Sequence, residues 1–383
     1  MTTQQTREKI YQLAHYAFQF EDSEVYRKRL NYLLDHSEHY ASFEGDHLAS
    51  QVIATPFKVH FFEQEFAMTG IGFVSSDPSY RGGGRIDQLM TQMLTDCKEQ
   101  GILFSYLAPF SYAFYRRYGY ELLFERISYQ VASRDWPDSP RVAGQVKRKD
   151  WQAAKNEIKA IYQAATKNKH GGLVRDDWWY EYKFQIQRPY YFVIYYDQEN
   201  QAQGYLIYQI KDGIFHCAEW ECLTGDAYRG LNRYIASHKD STREIHYEKG
   251  YTQTSSFYLQ EHPLANAVIR PEMMVRIVDI EKFLNIYPFE NLSQPFALVI
   301  EEDSYAPWNE GIFEVFAVNE VKKVTVTHLP TVKLSVQRLT QLFLGYKSLQ
   351  ELRFFDYVEV DEALVSVLEA VLPKQVPVLE DYF

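Results

Sequence analysis

The chain has 383 residues, 46% of them hydrophobic and 24% charged, with a formal net charge of -11 and a pI near 5.5. That length exceeds one ordinary domain of ~100–200 residues, and the acidic balance argues against any partner held by its phosphate backbone. Cys97, Cys217 and Cys222 are too few and wrongly spaced for a disulfide framework or a zinc site, no stretch approaches a membrane span, and the opening MTTQQTREKIYQLAHYAFQF lacks the flank and core of a signal peptide, so a cytoplasmic protein without nucleic-acid or membrane partners is expected.

Apolar residues at helical spacing (Ile10, Leu13, Ala14, Ala17) predict a helix over Thr6–Phe20, and Ser23–Leu34 reads as a second. Strand patterns follow in HYASFEGDHLASQVIATPFKVHFF, with a turn at Glu44–Asp46, and in FAMTGIGFV. From Ile86 to Glu99 the positions Ile86, Leu89, Met90, Met93, Leu94 and Cys97 share one helical face, and Gly101 ends that helix. The run ILFSYL, Pro109 and the aromatic stretch FSYAFYRRYGYE complete one α/β unit. A linker is expected at SRDWPDSPRVAGQ, near 133–145. Beyond it come a helix near Asp150–Thr166, a strand pair turning at Glu199–Gln201, and the strand IFHCAEWECL. A break at Asn285–Gln294 opens a third segment with strands FALVIEED, IFEVFAVN and KVTVTHLP, a turn at APWNEG, and then helical VQRLTQLFLG, SLQELRFF and ALVSVLEAVL. Strands followed by helices suggest a compact α+β domain. The aromatic fraction of 16% reads first as packing and second as a lined pocket.

The second segment echoes the first: TGDAYRGLNRYIASHK (224–239) aligns with SSDPSYRGGGRIDQLM (75–90) through an Asp, a Tyr-Arg-Gly and an arginine step. An internal duplication with one disabled copy explains the echo, and chance similarity over so short a stretch is the alternative.

Glycines 82 to 84 stand between Arg81 and Arg85 where a strand gives way to a helix. The first N–H groups of a helix lack partners, and its dipole adds positive charge there. A loop without Cβ atoms lets an anion approach them, so a phosphate cradle is one reading and a flexible turn the other. Gly84 is followed by Arg85-Ile86 and not by Lys-Ser/Thr, which disfavours a P-loop. A dinucleotide fingerprint through Gly82 and Gly84 would end on Asp87, where it needs a glycine. The stretch does match the Arg-x-x-Gly pyrophosphate turn of the Gcn5-related (GNAT) acetyltransferases.

The order SYRGGGRI, FYRRYGYE, a weaker second copy, a third segment with PWNEG and a chain ending in DYF resembles the enhanced intracellular survival (Eis) family of acetyltransferases. The resemblance implies a mixed α/β, α+β architecture of tandem GNAT-like domains, the second degenerate, then a sterol-carrier-protein-like (SCP2-like) domain. The expected boundaries are 1–140, 141–287 and 288–383. It implies acetyl-CoA as co-substrate, with Phe73, Val74 and Ser76 offering backbone groups to pantetheine. Arg81, Gly82, Gly83, Gly84 and Arg85 would bind pyrophosphate, followed by Ile86 where the wider superfamily often has Gly or Ala. Tyr115 matches the general acid, a role that a phenol of ordinary pKa ~10 can fill toward a departing thiolate; as a residue alone it also reads as a packed aromatic. The terminal carboxylate, here that of Phe383, would help remove the amine proton. Phe18, Phe20, Glu21, Asp381 and Tyr382 would line the amine pocket.

The function expected from these readings is transfer of acetyl to a primary amine of a small cationic molecule or a lysine side chain, aminoglycoside-like amines included, by direct attack in a ternary complex. Another acyl donor, or a CoA-sensing or lipid-binding scaffold without catalysis, are the alternatives. A homo-oligomer is expected, with hexamers known in the resembling family. His60, His216, His246 and His328 show no ligand spacing, and no metal is expected.

Overall fold

In the first helical stretch the apolar stripe Ile10, Leu13 and Ala14 is buried, and it forms α1 (Thr3–Phe18). Ser23 caps α2 (Glu24–Leu34), its side-chain oxygen accepting from the Tyr26 N–H. The computed structural model describes residues 3–186, 189–252, 266–290 and 292–383. They fall into two units: Met1–Leu123 with Glu272–Pro377 and Tyr382–Phe383, and Phe124–Pro271 with Val378–Asp381.

The first unit continues through β1 (Glu38–Glu44), β2 (His47–Phe61), β3 (Gln64–Ser76), α3 (Arg85–Glu99), β4 (Phe104–Leu107) and α4 (Tyr112–Arg116). The predicted face of α3 is the buried one: Leu89, Met90, Met93, Leu94 and Cys97 pack with Val52, Ile71 and Leu107 from the strands. Burial at roughly 1.5–3 kcal/mol per large apolar side chain fixes this helix on the sheet.

The second unit takes most of β5 (Glu121–Ala132), then β6 (Gln145–Lys149), α5 (Trp151–Thr166), a short β7 (Leu173–Val174), α6 (Asp177–Phe184), β8 (Tyr191–Tyr196), β9 (Ala202–Lys211), β10 (Ile214–Cys222), α7 (Gly225–Ala236) and β11 (Glu244–Gly250). Its strands run in the order β5-β11-β10-β9-β8-β6, and β10–β11 is the parallel pair. Strand alternation divides the aromatics between two faces. Val193 and Tyr195 of β8 pack under α7, while Phe192, Ile194 and Tyr196 pack under α5 and α6.

The chain re-enters the first unit along β12 (Asn266–Ile277), whose Met274–Ile277 pairs antiparallel with β4. The sheet order there is β1-β2-β3-β4-β12, with β3–β4 parallel. Next come α8 (Ile280–Ile286), β13 (Phe296–Ile300), β14 (Gly311–Ala317), β15 (Glu320–Val324), β16 (Thr331–Lys333), α9 (Val336–Phe343), α10 (Leu349–Phe354), β17 (Glu359–Val360) and α11 (Val365–Val371). A separate sheet runs β15-β14-β13-β16-β17. The expected strand over KVTVTHLP (323–330) forms only at its start: β15 ends at Val324, and the next strand opens at Thr331, beyond the stretch. The turn signal APWNEG also serves as a joint. Asn309, fully buried, donates to the Val278 carbonyl at 3.1 Å and to Asp303 at 2.9 Å, and it accepts from the Ile280 N–H at 2.9 Å. Asp303 in turn pairs with the buried Arg276 at 2.6 Å.

Candidate active site

Pairing of β2 with β3 places Gln51 opposite Ser75 and Ile53 opposite Gly72, so Phe73 and Val74 bulge opposite Val52. Phe73 takes φ 53, a left-handed conformation that a bulky residue adopts at a cost and that concentrates at functional sites. Parallel pairing of β3 with β4 ends at Ile71 and Leu107, while β3 runs on to Ser76. The strands therefore part beyond Ile71, beside the backbone of residues 73–76.

The glycine loop follows. Gly82 and Gly84 have φ 84 and φ 68, and Gly84 is the N-cap of α3 with no side-chain capping bond. Gly83 has no such constraint, and a Cβ there would meet nothing within 4 Å. Nothing inside the protein requires that position to be bare, and the first N–H groups of α3 beside it have no intrahelical partners. Arg85 pairs with Glu44 at 2.6 Å, and its Nε is buried without a partner. Asp87, in the first turn, is the acid that would oppose an anion, but it accepts from the Tyr118 hydroxyl and from Arg117 at 3.4 Å. A groove of about 740 Å³ is lined by Val74, Ser76, Arg81, Gly82, Gly83, Gly84, Arg85 and Ile86. These features fit a phosphate-bearing, extended co-substrate such as acetyl-CoA. Sequence reasoning missed Tyr80, Phe110, Phe114 and Arg117, which also line the groove. The doubled arginine of FYRRYGYE was the available signal for Arg117.

Phe18, Val74 and Phe110 are shared with a smaller cavity of about 210 Å³ that also holds Phe73, Tyr115, Tyr382 and Phe383. Tyr115 rides on α4, whose first turn is capped by the Ser111 hydroxyl accepting from the Phe114 N–H. It is 3% exposed, and burial pushes its phenol well above the usual range, so it stays protonated. The ring of Phe383 lies 5.0 Å from that of Phe57 and occupies the space of the missing side chain at Gly70, where a Cβ would stand 2.6 Å from two ring carbons. Its carboxyl carbon is 4.0 Å from the Cβ position of Gly72.

Of the residues expected around the amine, Phe18 and Tyr382 line this cavity, while Phe20, Glu21 and Asp381 do not. Phe20 turns inward, stacked on Tyr26 at 4.9 Å and edge-on to Tyr11 at 5.6 Å. Glu21 is exposed at the junction of α1 and α2. Asp381 is fully buried within the second unit. It accepts from Trp179 Nε1 at 2.9 Å, Arg175 Nε at 3.0 Å, Lys183 Nζ at 3.1 Å and the Tyr162 hydroxyl at 3.2 Å. Burial pushes its carboxyl up, but Arg175 and Lys183 outweigh that and hold it below the usual range. Its partners lie far away in sequence, so an acid beside the terminus read as a pocket acid when it is a buried ion-pair residue.

Cys97 is no acyl carrier: it is buried, its Sγ is 3.6 Å from Met93 Sδ, and burial pushes the thiol up to about 12. Among the described residues no group of three or more His, Cys, Asp or Glu stands where it could hold a metal ion, and no helix is long and apolar enough to cross a membrane.

The acetyltransferase (GNAT) domain matches residues 1–123, a second acetyltransferase (GNAT) domain matches 171–277, and the sterol carrier protein domain matches 280–380. A comparison with curated protein sequences finds no match. Among solved structures, a conserved protein of unknown function from Enterococcus faecalis V583, described as a probable N-acyltransferase, is 38% identical with a TM-score of 0.93, the alignment covering 100% of this chain and 98% of that one. A GCN5-related N-acetyltransferase from Anabaena variabilis superposes with a TM-score of 0.85 at 19% identity, covering 100% and 98% of the two chains. Eis1 from Mycobacterium abscessus gives 0.81 at 19% identity, covering 100% and 99%. With two GNAT domains ahead of a sterol carrier domain and a relative 38% identical over the whole chain, the chain belongs to the GNAT-type N-acetyltransferases.

Proposed function

We propose that the chain is an Eis-like acetyl-CoA-dependent N-acetyltransferase that acetylates a primary amine by direct attack in a ternary complex. The observation that carries this reading is the adjacency of two sites: the glycine cradle and the Tyr115–Phe383 cavity share Phe18, Val74 and Phe110. Acetyl-CoA, when bound, supplies the acyl group as an activated thioester. Arg81, Gly82, Gly83, Gly84 and Arg85 hold its pyrophosphate, and the backbone of Phe73, Val74 and Ser76 orients its pantetheine arm. Tyr115 keeps a proton on its hydroxyl at neutral pH and delivers it to the departing sulfur. An alkylammonium with pKa ~10.4 must lose a proton before it can attack. The Phe383 carboxylate holds that ammonium and passes its proton to water. Burial of Cys97 supports direct attack over an acyl-enzyme, and the small cavity favours a short acyl group.

The test is thiol release from acetyl-CoA in the presence of amines, with Tyr115→Phe as the variant. Loss of the proton donor should lower kcat by about 10²–10⁴-fold with little change in KM for acetyl-CoA. Unchanged turnover in Tyr115→Phe removes the acid from the mechanism. Unchanged turnover after a few residues are appended to Phe383 removes the carboxylate.

A further inference from the structure

We propose that the acceptor is a monocationic amine on a compact apolar body, an arylalkylamine, and not a polycation; this rests on the acetyl-transfer reading above. The cavity that would receive it is walled by the rings of Phe18, Phe73, Phe110, Tyr115 and Tyr382. Phe18 meets Phe73 edge-on at 5.5 Å, and Phe110 meets Tyr115 edge-on at 5.3 Å. Among the described residues no aspartate or glutamate side chain lines it, which leaves the carboxyl group of Phe383 as its acid. Glu21 and Asp381, the two side-chain acids expected in this pocket, are respectively outside the lining and committed to Arg175, Lys183 and Trp179.

Charge and size point the same way. One carboxylate neutralises one ammonium, and ring faces add cation–π attraction for that single charge. Each further ammonium of a polyamine or aminoglycoside would leave water for an apolar wall without a counter-ion, an unfavourable transfer. The volume of about 210 Å³, which must also admit the acyl end of the donor, leaves room for a compact acceptor body only. Three of the wall rings are large apolar groups held open to solvent, Phe18 at 48%, Phe110 at 68% and Tyr382 at 61% exposure. Clustered exposed rings at the mouth of a cavity mark a binding surface for an apolar body, and an aromatic ring there gains edge-to-face packing.

The experiment uses the full chain with 2-phenylethylamine, tryptamine, spermidine and kanamycin. Thiol release is measured with acetyl-CoA, and saturation-transfer NMR of each amine is recorded without it. The expected result is a kcat/KM for the arylalkylamines at least ~10-fold above that for spermidine or kanamycin, with saturation reaching the phenyl ring protons. Phe18→Ala and Phe110→Ala, which remove exposed rings and leave the core intact, should each lower kcat/KM for 2-phenylethylamine by about tenfold with Tm unchanged. Equal or better turnover of spermidine or kanamycin overturns the substrate class and leaves acetyl transfer standing. Thiol release with none of the amines overturns acetyl transfer itself; ring saturation that vanishes in Phe110→Ala would then still support the apolar monocation site, and its absence in the wild type would sink it.

Discussion

The starts of α3 and α7 are the same topological position in two GNAT domains, each the helix between two parallel strands, and they are finished in opposite ways. Before α3 the chain runs from Asp77 to Gly84 and leaves the helix end without a side-chain cap. Before α7 it turns within Leu223 and Thr224, and the Thr224 hydroxyl accepts from the Ala227 N–H at 3.1 Å. The Arg229 Nη1 lies 3.3 Å from the Cβ position of Gly225, and its guanidinium pairs with Asp226. The strand gap beyond the parallel pairing differs as well. In the second unit the residues from Val378 to Asp381 lie there, with the Gly250 N–H donating to Glu380 at 3.0 Å and Arg175 bridging Asp381 to Glu219 on β10. One helix start has no side-chain cap, and the other is capped by its own threonine. The two GNAT domains therefore share a fold and differ in how the helix start is capped and the strand gap is filled.

The largest expected effect lies on the filled side. Asp381→Asn removes one carboxylate from the buried Arg175 and should cost about 3–5 kcal/mol of stability, read as a lowered urea midpoint. An unchanged midpoint would mean that the cluster is dispensable. Its pH dependence has a definite sign. Burial pushes Glu219 up, but Arg175 and Lys183 outweigh that and hold it below its ordinary 4.5; Asp381 is likewise below its ordinary 3.8. The stabilisation is then fully present above those ordinary values and is lost as pH falls through the lowered ones. Acid unfolding followed by circular dichroism should be shifted to higher pH in Asp381→Asn.

On the open side, Gly83→Ala adds a methyl group that meets nothing in the protein. It should raise KM for acetyl-CoA by about tenfold, or 1.4 kcal/mol, with Tm unmoved; a changed Tm with an unchanged KM would return the loop to a structural role. Thr224→Ala, the matching change in the second copy, should cost about 1 kcal/mol of stability and leave KM for acetyl-CoA alone. The smallest effect is a null one. With burial raising the Tyr115 phenol, kcat/KM should climb with pH as the amine deprotonates and show no falling limb up to about pH 10. A fall at lower pH, absent from Tyr115→Phe, would mean that the phenol titrates there.

Much of the first unit was legible. The stripe of α3, the Glu44–Asp46 turn and the glycine loop all follow from local periodicity and backbone chemistry, which operate over a few residues. The echo between the copies was legible in kind and misleading in letters. Tyr228-Arg229-Gly230 sits inside α7, where Gly230 makes room for the Tyr195 ring, whereas Tyr80-Arg81-Gly82 precedes α3. Phe20 and Asp381 failed as pocket residues for a common reason: each is claimed by partners on other elements.

Short-range physics therefore accounts for what could be read from residue order: the helices and their buried faces, the alternating strands that sort aromatics onto two faces, and a stretch of backbone bare enough to meet an anion. Long-range packing sets which residues meet around the cavity. The missing side chain at Gly70 seats the Phe383 ring, the end of β3–β4 pairing opens a gap beside Phe73, and Arg175 takes Asp381 out of reach of any substrate. Those outcomes depend on partners separated by tens to hundreds of residues, and local periodicity carries no record of such distances.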